Sequence, residues 1–243
     1  MMRDCEFLKR RPIAHRGLHD GNKIVWENTL SAFERAIAAG FGIECDLQYA
    51  ADAVPVVFHD DDMERLCNLK ADIRSKTAGE LSLVTIGGTA DKVPSLRQLL
   101  RLVKGRVPLL IELKGRKGDD EGFASAVLEA LEDYAGEVAL MSFDPWLLED
   151  LRQLDSPVPL GLTAEGETES EFAAHRKAME LGLDFVSYAI RHLPNAFTSG
   201  LKSQGVPVLS WTIRTPEQAV HSRLHADQMT FEGFDPTDDE GQH

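Results

Sequence analysis

The sequence predicts an α/β chain folded as a TIM (β/α)8 barrel with a small insertion after the second strand. Three observations carry this expectation. Short apolar runs ending in polar residues alternate with amphipathic stretches that open on helix-start signals, the pattern of parallel β/α units. One of the nine runs follows its predecessor too closely for a parallel crossover, which leaves eight. The 243 residues match the roughly 250 of a typical eightfold barrel.

The elements follow in order. Pro12–His15 is the first strand. Leu30, Phe33 and Ile37 recur at helical spacing over residues 30–39, and Ser31 with Glu34 reads as a capping box at the helix start. Gly42–Leu47 is the second strand. Only eight residues separate Asp46 from Pro55, with a polar turn at Asp52. Pro55–His59 is therefore the return arm of a hairpin that brings His59 back beside the second strand. Residues 60–94 form an excursion with a short helix at Thr77–Leu83, and the whole of 48–94 is expected to lie over the barrel mouth. Ser95 with Gln98 opens a helix running to Val103. The remaining strands are Pro108–Leu113, Val138–Phe143, Val158–Leu162, Asp184–Tyr188, Pro207–Thr212 and Asp227–Phe231. Between them, Phe123, Val127, Leu131 and Tyr134 share one face of a helix over 120–134. Asp144-Pro145 and Thr215-Pro216 read as cap-then-proline helix starts, where proline's missing N–H costs nothing. An open doubly wound sheet is the alternative fold. No G-x-G-x-x-G turn follows the first strand, so nothing supports a dinucleotide-binding version.

Composition narrows the function. The chain is 43% apolar and 27% charged, an ordinary globular balance with no repeat or linker to divide it, so one domain over 1–243 is expected. Its net charge of −14 repels nucleic-acid phosphates and anionic membranes, which excludes a general nucleic-acid binder. Cys5, Cys45 and Cys67 form no disulfide or zinc pattern. With no apolar run in Met1–Arg11 to suggest a signal peptide, and no membrane span, a cytoplasmic protein is expected. Asp235–His243 is acidic and reads as a loose tail.

In a parallel barrel the C-terminal strand ends form the active-site face. His15-Arg16-Gly17 ends the first strand, Glu44-Cys45-Asp46 lies on the second, and Glu112-Leu113-Lys114 ends the next parallel one. Strand alternation puts Glu44 and Asp46 on one face and Cys45 on the other, and pairs Glu112 with Lys114 in the same way. Three converging carboxylates would be strongly unfavourable without compensation, and a hard cation with oxygen ligands, Mg²⁺ or Ca²⁺, resolves this. Taken singly, each feature has a plainer reading. The acidic pair reads as solvated strand-end residues, Glu112 with Lys114 as a structural ion pair, His15 as a satisfied loop histidine, and Trp211 as packing. His19, His175, His192, His221 and His225 show no metal-like clustering and are expected at the surface.

At these residues the sequence resembles the glycerophosphodiester phosphodiesterase family, a TIM-barrel family related to phosphatidylinositol-specific phospholipase C. The matching text is IAHRG at 13–17, ENTLSAF at 27–33, IECDLQ at 43–48, VPVVFHDD at 54–61, LLIELK at 109–114, SF at 142–143 and WTI at 211–213. The resemblance implies that His15 and His59 are the general acid/base pair and that Glu44, Asp46 and Glu112 bind a divalent metal. It implies phosphate contacts from Arg16 and Lys114, while Trp211 is placed with them as a mouth aromatic facing the ligand. Asn28 and Thr29 look architectural. Three departures stand out. Trp26 replaces the usual proline, and Ala53 replaces a common glycine, suggesting that no positive φ is needed in the hairpin turn. DQMTFEGFDP at 227–236 lacks the family's Thr-Asp-Arg-Pro ending, which leaves the eighth strand's part in substrate choice open.

The implied reaction is metal-dependent hydrolysis of a small glycerophosphodiester to sn-glycerol 3-phosphate and an alcohol. One histidine takes a proton from the nucleophile and the other protonates the leaving alcohol. The nucleophile, water or the substrate's own 2-hydroxyl, is left open, as is the oligomeric state; hairpin geometry leans towards His15 as base and His59 as acid. A lysophospholipase D-like activity is the runner-up. It would need an acyl groove from Leu66, Leu69, Leu81, Leu83, Val84 and Ile86, residues that equally suit a small core of the insertion. A non-catalytic phosphate-ester-binding barrel would be expected to lack one or more of the two histidines and three carboxylates, all of which are present.

Overall fold

The protein is described by a computed structural model covering residues 3–237. A 3-10 turn at Glu6–Lys9 leads into β1 (Ile13–Ala14), α1 (Leu30–Ala39) and β2 (Gly42–Tyr49). The excursion follows, as β3 (Pro55–Val57), β4 (Asp62–Met63), α2 (Glu64–Cys67), β5 (Leu69–Asp72) and α3 (Ala78–Leu81). Regular alternation then resumes with α4 (Leu96–Val103), β6 (Leu109–Leu113), α5 (Phe123–Leu131), β7 (Val138–Ser142), α6 (Pro145–Gln153) and β8 (Leu160–Ala164). It ends with α7 (Glu169–Met179), β9 (Phe185–Ala189), α8 (Ala196–Ser203), β10 (Val208–Ile213), α9 (Pro216–His225) and β11 (Gln228–Phe231).

Eight of these strands are parallel neighbours in the order β1-β11-β10-β9-β8-β7-β6-β2, and β1 also pairs with β2, which closes the barrel. The expected TIM (β/α)8 barrel is therefore the observed one. β3 runs antiparallel along β2, with Leu47 opposite Val57. The Phe58 N–H donates to the Asp46 carbonyl at 3.0 Å, so the hairpin carries His59 back to the second strand as its spacing required.

Alternation sorts every strand into an inner and an outer face. Ile43, Cys45, Leu47, Ile111, Leu140, Val186 and Val208 point outwards into the core shared with the helices. Ile13, Leu110, Ala139, Met141, Phe185 and Leu209 point inwards and fill the lower barrel, closed below by Cys5 and Leu8. Gly161 makes room for this plug, because a Cβ there would stand 2.2 Å from the Phe185 ring. One step further up, the inward positions change from apolar to polar, and the active-site face begins.

Local chemistry sets the helix starts. Ser95 and Gln98 form the reciprocal capping box at α4, and Thr77 with Glu80 forms another at α3. Thr215 caps α9 with Pro216 in its first turn. Two expected caps are corrected. The N-cap of α1 is Thr29, which accepts from the Ala32 N–H, while the Ser31 hydroxyl donates to Asp91 at 3.0 Å and is drawn away from the helix end. Asp144 precedes Pro145 as expected, but its carboxylate accepts from the Gly115 N–H at 2.8 Å instead of capping α6.

The insertion has a core of its own. Met63, Leu66, Ile73, Leu81 and Ile86 pack with Val56 and Phe58 of the hairpin. Trp26 docks onto this unit against Gly87, where a Cβ would fall 2.0 Å from the indole. Ala53 adopts φ 60°, so the turn does need the left-handed conformation and an alanine bears it. Near the end of the chain Pro236 is buried, and its carbonyl accepts from Arg223 Nη2 at 2.8 Å. Residues 238–243 of the expected loose tail lie outside the described residues.

Candidate active site

The polar layer at the top of the barrel is built by register. Asp46 on β2 is the direct neighbour of Glu112 on β6, and Glu44 lies two residues below Asp46 on the same inner face. One oxygen from each of these buried carboxylates lies within 4.8 Å of the others. Lys114 continues the β6 face beyond the strand end, with Nζ bonded to Glu112 and 3.0 Å from Asp46. His15 follows Ile13 on the inner face of β1 and reaches the same space, its Nε2 3.9 Å from Glu44.

Arg16 enters by a different route. Arg16 and Gly17 both take positive φ, 54° and 80°, which turns the chain sharply after β1. The Arg16 N–H then donates to Glu44 at 2.8 Å, while its guanidinium reaches Asp46 at 3.2 Å and Glu27 at 2.7 Å. Asn28 donates from Nδ2 to Asp46 at 2.8 Å. This hydrogen bond holds the Asp46 carboxylate in place.

His15, Arg16, Lys114 and the three carboxylates line a cavity of about 140 Å³ together with His59, Phe143, Trp211 and Thr230. All eight sequence-predicted site residues border it. Trp211 stands at its wall, edge-on to Phe143 at 5.5 Å, with its indole N–H donating to the Ser187 carbonyl. A larger groove of about 530 Å³ between α4 and α5 holds neither histidine nor a carboxylate cluster.

Electrostatics separates the three carboxylates. Burial, reinforced by the charges of Asp46 and Glu112, pushes Glu44 well above the usual carboxylate range. Burial likewise raises Glu112, against the opposing pull of Lys114. Burial would raise Asp46 too, but Lys114 and Arg16 beside it prevail and hold it well below that range. Burial lowers both His15 and His59, so each tends to the neutral imidazole, the form able to take a proton.

The donor set fits a divalent cation. It offers only oxygen ligands, two of them raised by burial and further by the neighbouring carboxylate charges, and a hard cation would relieve that cost. The Ser187 and Thr230 hydroxyls, which also belong to this cavity's lining residues, are buried without hydrogen-bond partners among the described residues. Such atoms suit a polar ligand.

Sequence reasoning missed the carboxylates behind the histidines. His15 Nδ1 lies 2.5 Å from Glu232, just past β11, and Glu232 is held in turn by Arg214 at 2.7 Å. Burial works to raise Glu232, but His15, His19 and Arg214 keep it ionised well below the usual range. An ionised carboxylate only accepts, so His15 carries its proton on Nδ1 and turns Nε2 towards Glu44 and the cavity. His59 Nδ1 is similarly 2.7 Å from Asp60. His19, expected at the surface, is mostly buried with Nε2 3.6 Å from Glu232.

The sequence profile of the glycerophosphoryl diester phosphodiesterase family matches residues 15–231. The chain belongs to that family. It is 28% identical over 221 residues to a glycerophosphodiester phosphodiesterase of Caldanaerobacter subterraneus subsp. tengcongensis, covering 86% of this chain and 88% of the relative. A Bacillus altitudinis enzyme of the same description is 29% identical, with 91% and 84% covered. In fold the chain is similar to an Oleispira antarctica phosphodiesterase solved with the product sn-glycerol-3-phosphate, with TM-score 0.83, 22% identity and 94% of both chains covered. A Thermotoga maritima glycerophosphodiester phosphodiesterase gives TM-score 0.74 at 25% identity, covering 91% of this chain and 94% of that one. The phosphodiesterase described here is thus a hydrolase of glycerophosphodiesters. No described helix is long and apolar enough to cross a membrane.

Proposed function

We propose that the phosphodiesterase hydrolyses its substrate with a divalent cation, Mg²⁺ or Ca²⁺, held by Glu44, Asp46 and Glu112, and with His15 and His59 as the acid/base pair. The observation that carries this reading is the convergence of three buried carboxylates, two cationic side chains and two histidines on one small cavity. When bound, the cation would supply positive charge to a phosphoryl oxygen and the glycerol hydroxyls.

The chain's own residues do the rest. Arg16 and Lys114 offset charge on the phosphate, which reconciles an anionic substrate with a chain of net charge −14. His15, with Nδ1 committed to Glu232, takes at Nε2 the proton of the attacking oxygen, that of water or of the substrate's own 2-hydroxyl, the second route passing through a cyclic phosphate that water then opens. As that oxygen bonds to phosphorus, the bond from phosphorus to the departing alcohol breaks, and His59 in its doubly protonated form gives that alcohol the proton on Nε2, leaving the neutral ring with its proton on Nδ1 towards Asp60. Trp211 and Phe143 form an apolar wall beside the cavity for the carbon side of the ligand. The products are sn-glycerol 3-phosphate and an alcohol; the Oleispira antarctica relative, solved with sn-glycerol-3-phosphate, supports that choice.

Most of the insertion's apolar residues are taken up by its own core, which favours a small glycerophosphodiester over a lysolipid. The three cysteines are free thiols, in keeping with a reducing cytoplasmic setting. The test is glycerol 3-phosphate release from glycerophosphocholine by metal-stripped protein, then with Mg²⁺ or Ca²⁺ restored. Release only after an ion returns is expected. Full release from stripped protein would remove the cation from the reading, and none with either ion, from folded protein, would redirect it to lysolipids.

A further inference from the structure

Arg65 lies on α2 of the insertion, outside the cavity lining. Its guanidinium nevertheless makes two forked contacts at once. Nε and Nη2 donate to the two oxygens of Asp60 at 2.7 and 2.9 Å. Nη1 and Nη2 donate to the two oxygens of Glu27 at 2.9 and 2.8 Å. Each of these carboxylates has a second client. The Asp60 oxygen that meets Nη2 also meets His59 Nδ1 at 2.7 Å. Glu27 is buried and holds the Arg16 guanidinium at 2.7 Å, braced on its other side by Asn22.

We propose that Arg65 is a positioning residue through which the insertion fixes His59 and Arg16 relative to each other. The inference rests on the roles assigned above to those two side chains. Arg16 is anchored on the barrel strand β1, whereas His59 rides on the hairpin arm, and Arg65 bridges the carboxylates behind both. Only a planar fork with donors on two edges can serve two carboxylates in this way. An ammonium has three donors around one point and cannot hold both pairs in plane. Without the fork, Asp60 keeps no other Lys or Arg partner among the described residues to define its rotamer, and His59 loses the fixed acceptor that sets its tautomer.

Two readouts test this on the full-length chain. The first is kcat and KM for glycerophosphocholine with Mg²⁺. Arg65→Gln is expected to lower kcat/KM about 10–100-fold, the range for losing a partner that orients a working histidine, and Arg65→Lys to recover little of it. In a Glu27→Gln/Asp60→Asn background, Arg65→Gln should cost less than about threefold more, because its partners are already gone. The second readout is the ring ¹⁵N spectrum of His59 without metal, which should pass from the Nδ1–H tautomer to a mixture in Arg65→Gln.

Arg116→Gln supplies the control. Arg116 ties the insertion's Asp72 and Asp61 but touches neither histidine nor Arg16. It should leave both the rate and the spectrum near native. An unchanged His59 tautomer in Arg65→Gln overturns the proposal, as does an Arg116→Gln variant that behaves alike. A tautomer that shifts in a protein unable to hydrolyse any glycerophosphodiester leaves the clamp standing and removes the substrate reading instead.

Discussion

The two histidines at the cavity are held by the same kind of assembly from opposite ends of the chain. Each presents Nδ1 to a carboxylate, and each carboxylate is gripped by an arginine. For His15 the set is Glu232 and Arg214, delivered because β1 and β11 are neighbours and Ala14 lies beside Phe231. For His59 the set is Asp60 and Arg65, all within seven consecutive residues. The difference lies in the arginines. Arg214 meets Glu232 by one contact, and Glu232 has His19 close by as a further neighbour. Arg65 makes both forks and serves a second carboxylate. The comparison teaches that the His15 assembly depends on its carboxylate, whereas the His59 assembly depends on its arginine.

The largest effect breaks both assemblies at their centre. His15→Ala or His59→Ala should abolish measurable turnover, a loss of about 10²–10⁴-fold for each acid/base group, with the circular dichroism of the folded barrel unchanged. Near-normal turnover in both variants would exclude the pair. Next, Glu232→Gln should lower kcat about 10–100-fold, because an amide can present its N–H₂ to Nδ1 and turn the proton-bearing side of the ring towards the cavity. A KM change with kcat intact would instead place Glu232 in substrate binding.

Arg214→Gln sharpens the contrast with Arg65→Gln. The single-contact arginine should cost no more than about threefold in kcat/KM, against the larger loss at Arg65. Equal losses would erase the proposed asymmetry. The smallest effect concerns stability. Burial works to raise Glu27, but Arg65, Arg16 and Asn22 bring it from 4.5 down to about 2 in the folded chain. A depressed carboxylate stabilises the fold above its unfolded value and loses that contribution as pH falls through the folded one. The melting temperature of Glu27→Gln should therefore trail the native most at neutral pH, and the gap should narrow from pH 4.5 towards 2. A gap that stays constant over that range would mean that Glu27 acts through packing and not through charge.

Much of this was legible in the chain because it depends on short-range rules. Alternation along a strand settles that Glu44 shares a face with Asp46 and that Cys45 joins the outer core. The short span between Asp46 and Pro55 forbids a parallel crossover and forces the hairpin that returns His59. Even Asp60 and Arg65 had a local signal, an acidic residue adjacent to the histidine and a cation five positions on. The helix caps were less secure. Ser31 and Asp144 both have the right chemistry for an N-cap, but each found a stronger partner outside its own helix, in Asp91 and in the Gly115 N–H.

What the sequence by itself determined is the alternation of strands and helices, the hairpin, and which residue types share a face, since these follow from backbone periodicity and chain reach. Barrel closure decided the rest. Placing β11 against β1 brings Glu232 to His15 across 217 positions, and the register of β2 with β6 sets Asp46 beside Glu112. Neither distance is encoded locally, because the partners are chosen by strand order and register, which only the closed sheet fixes.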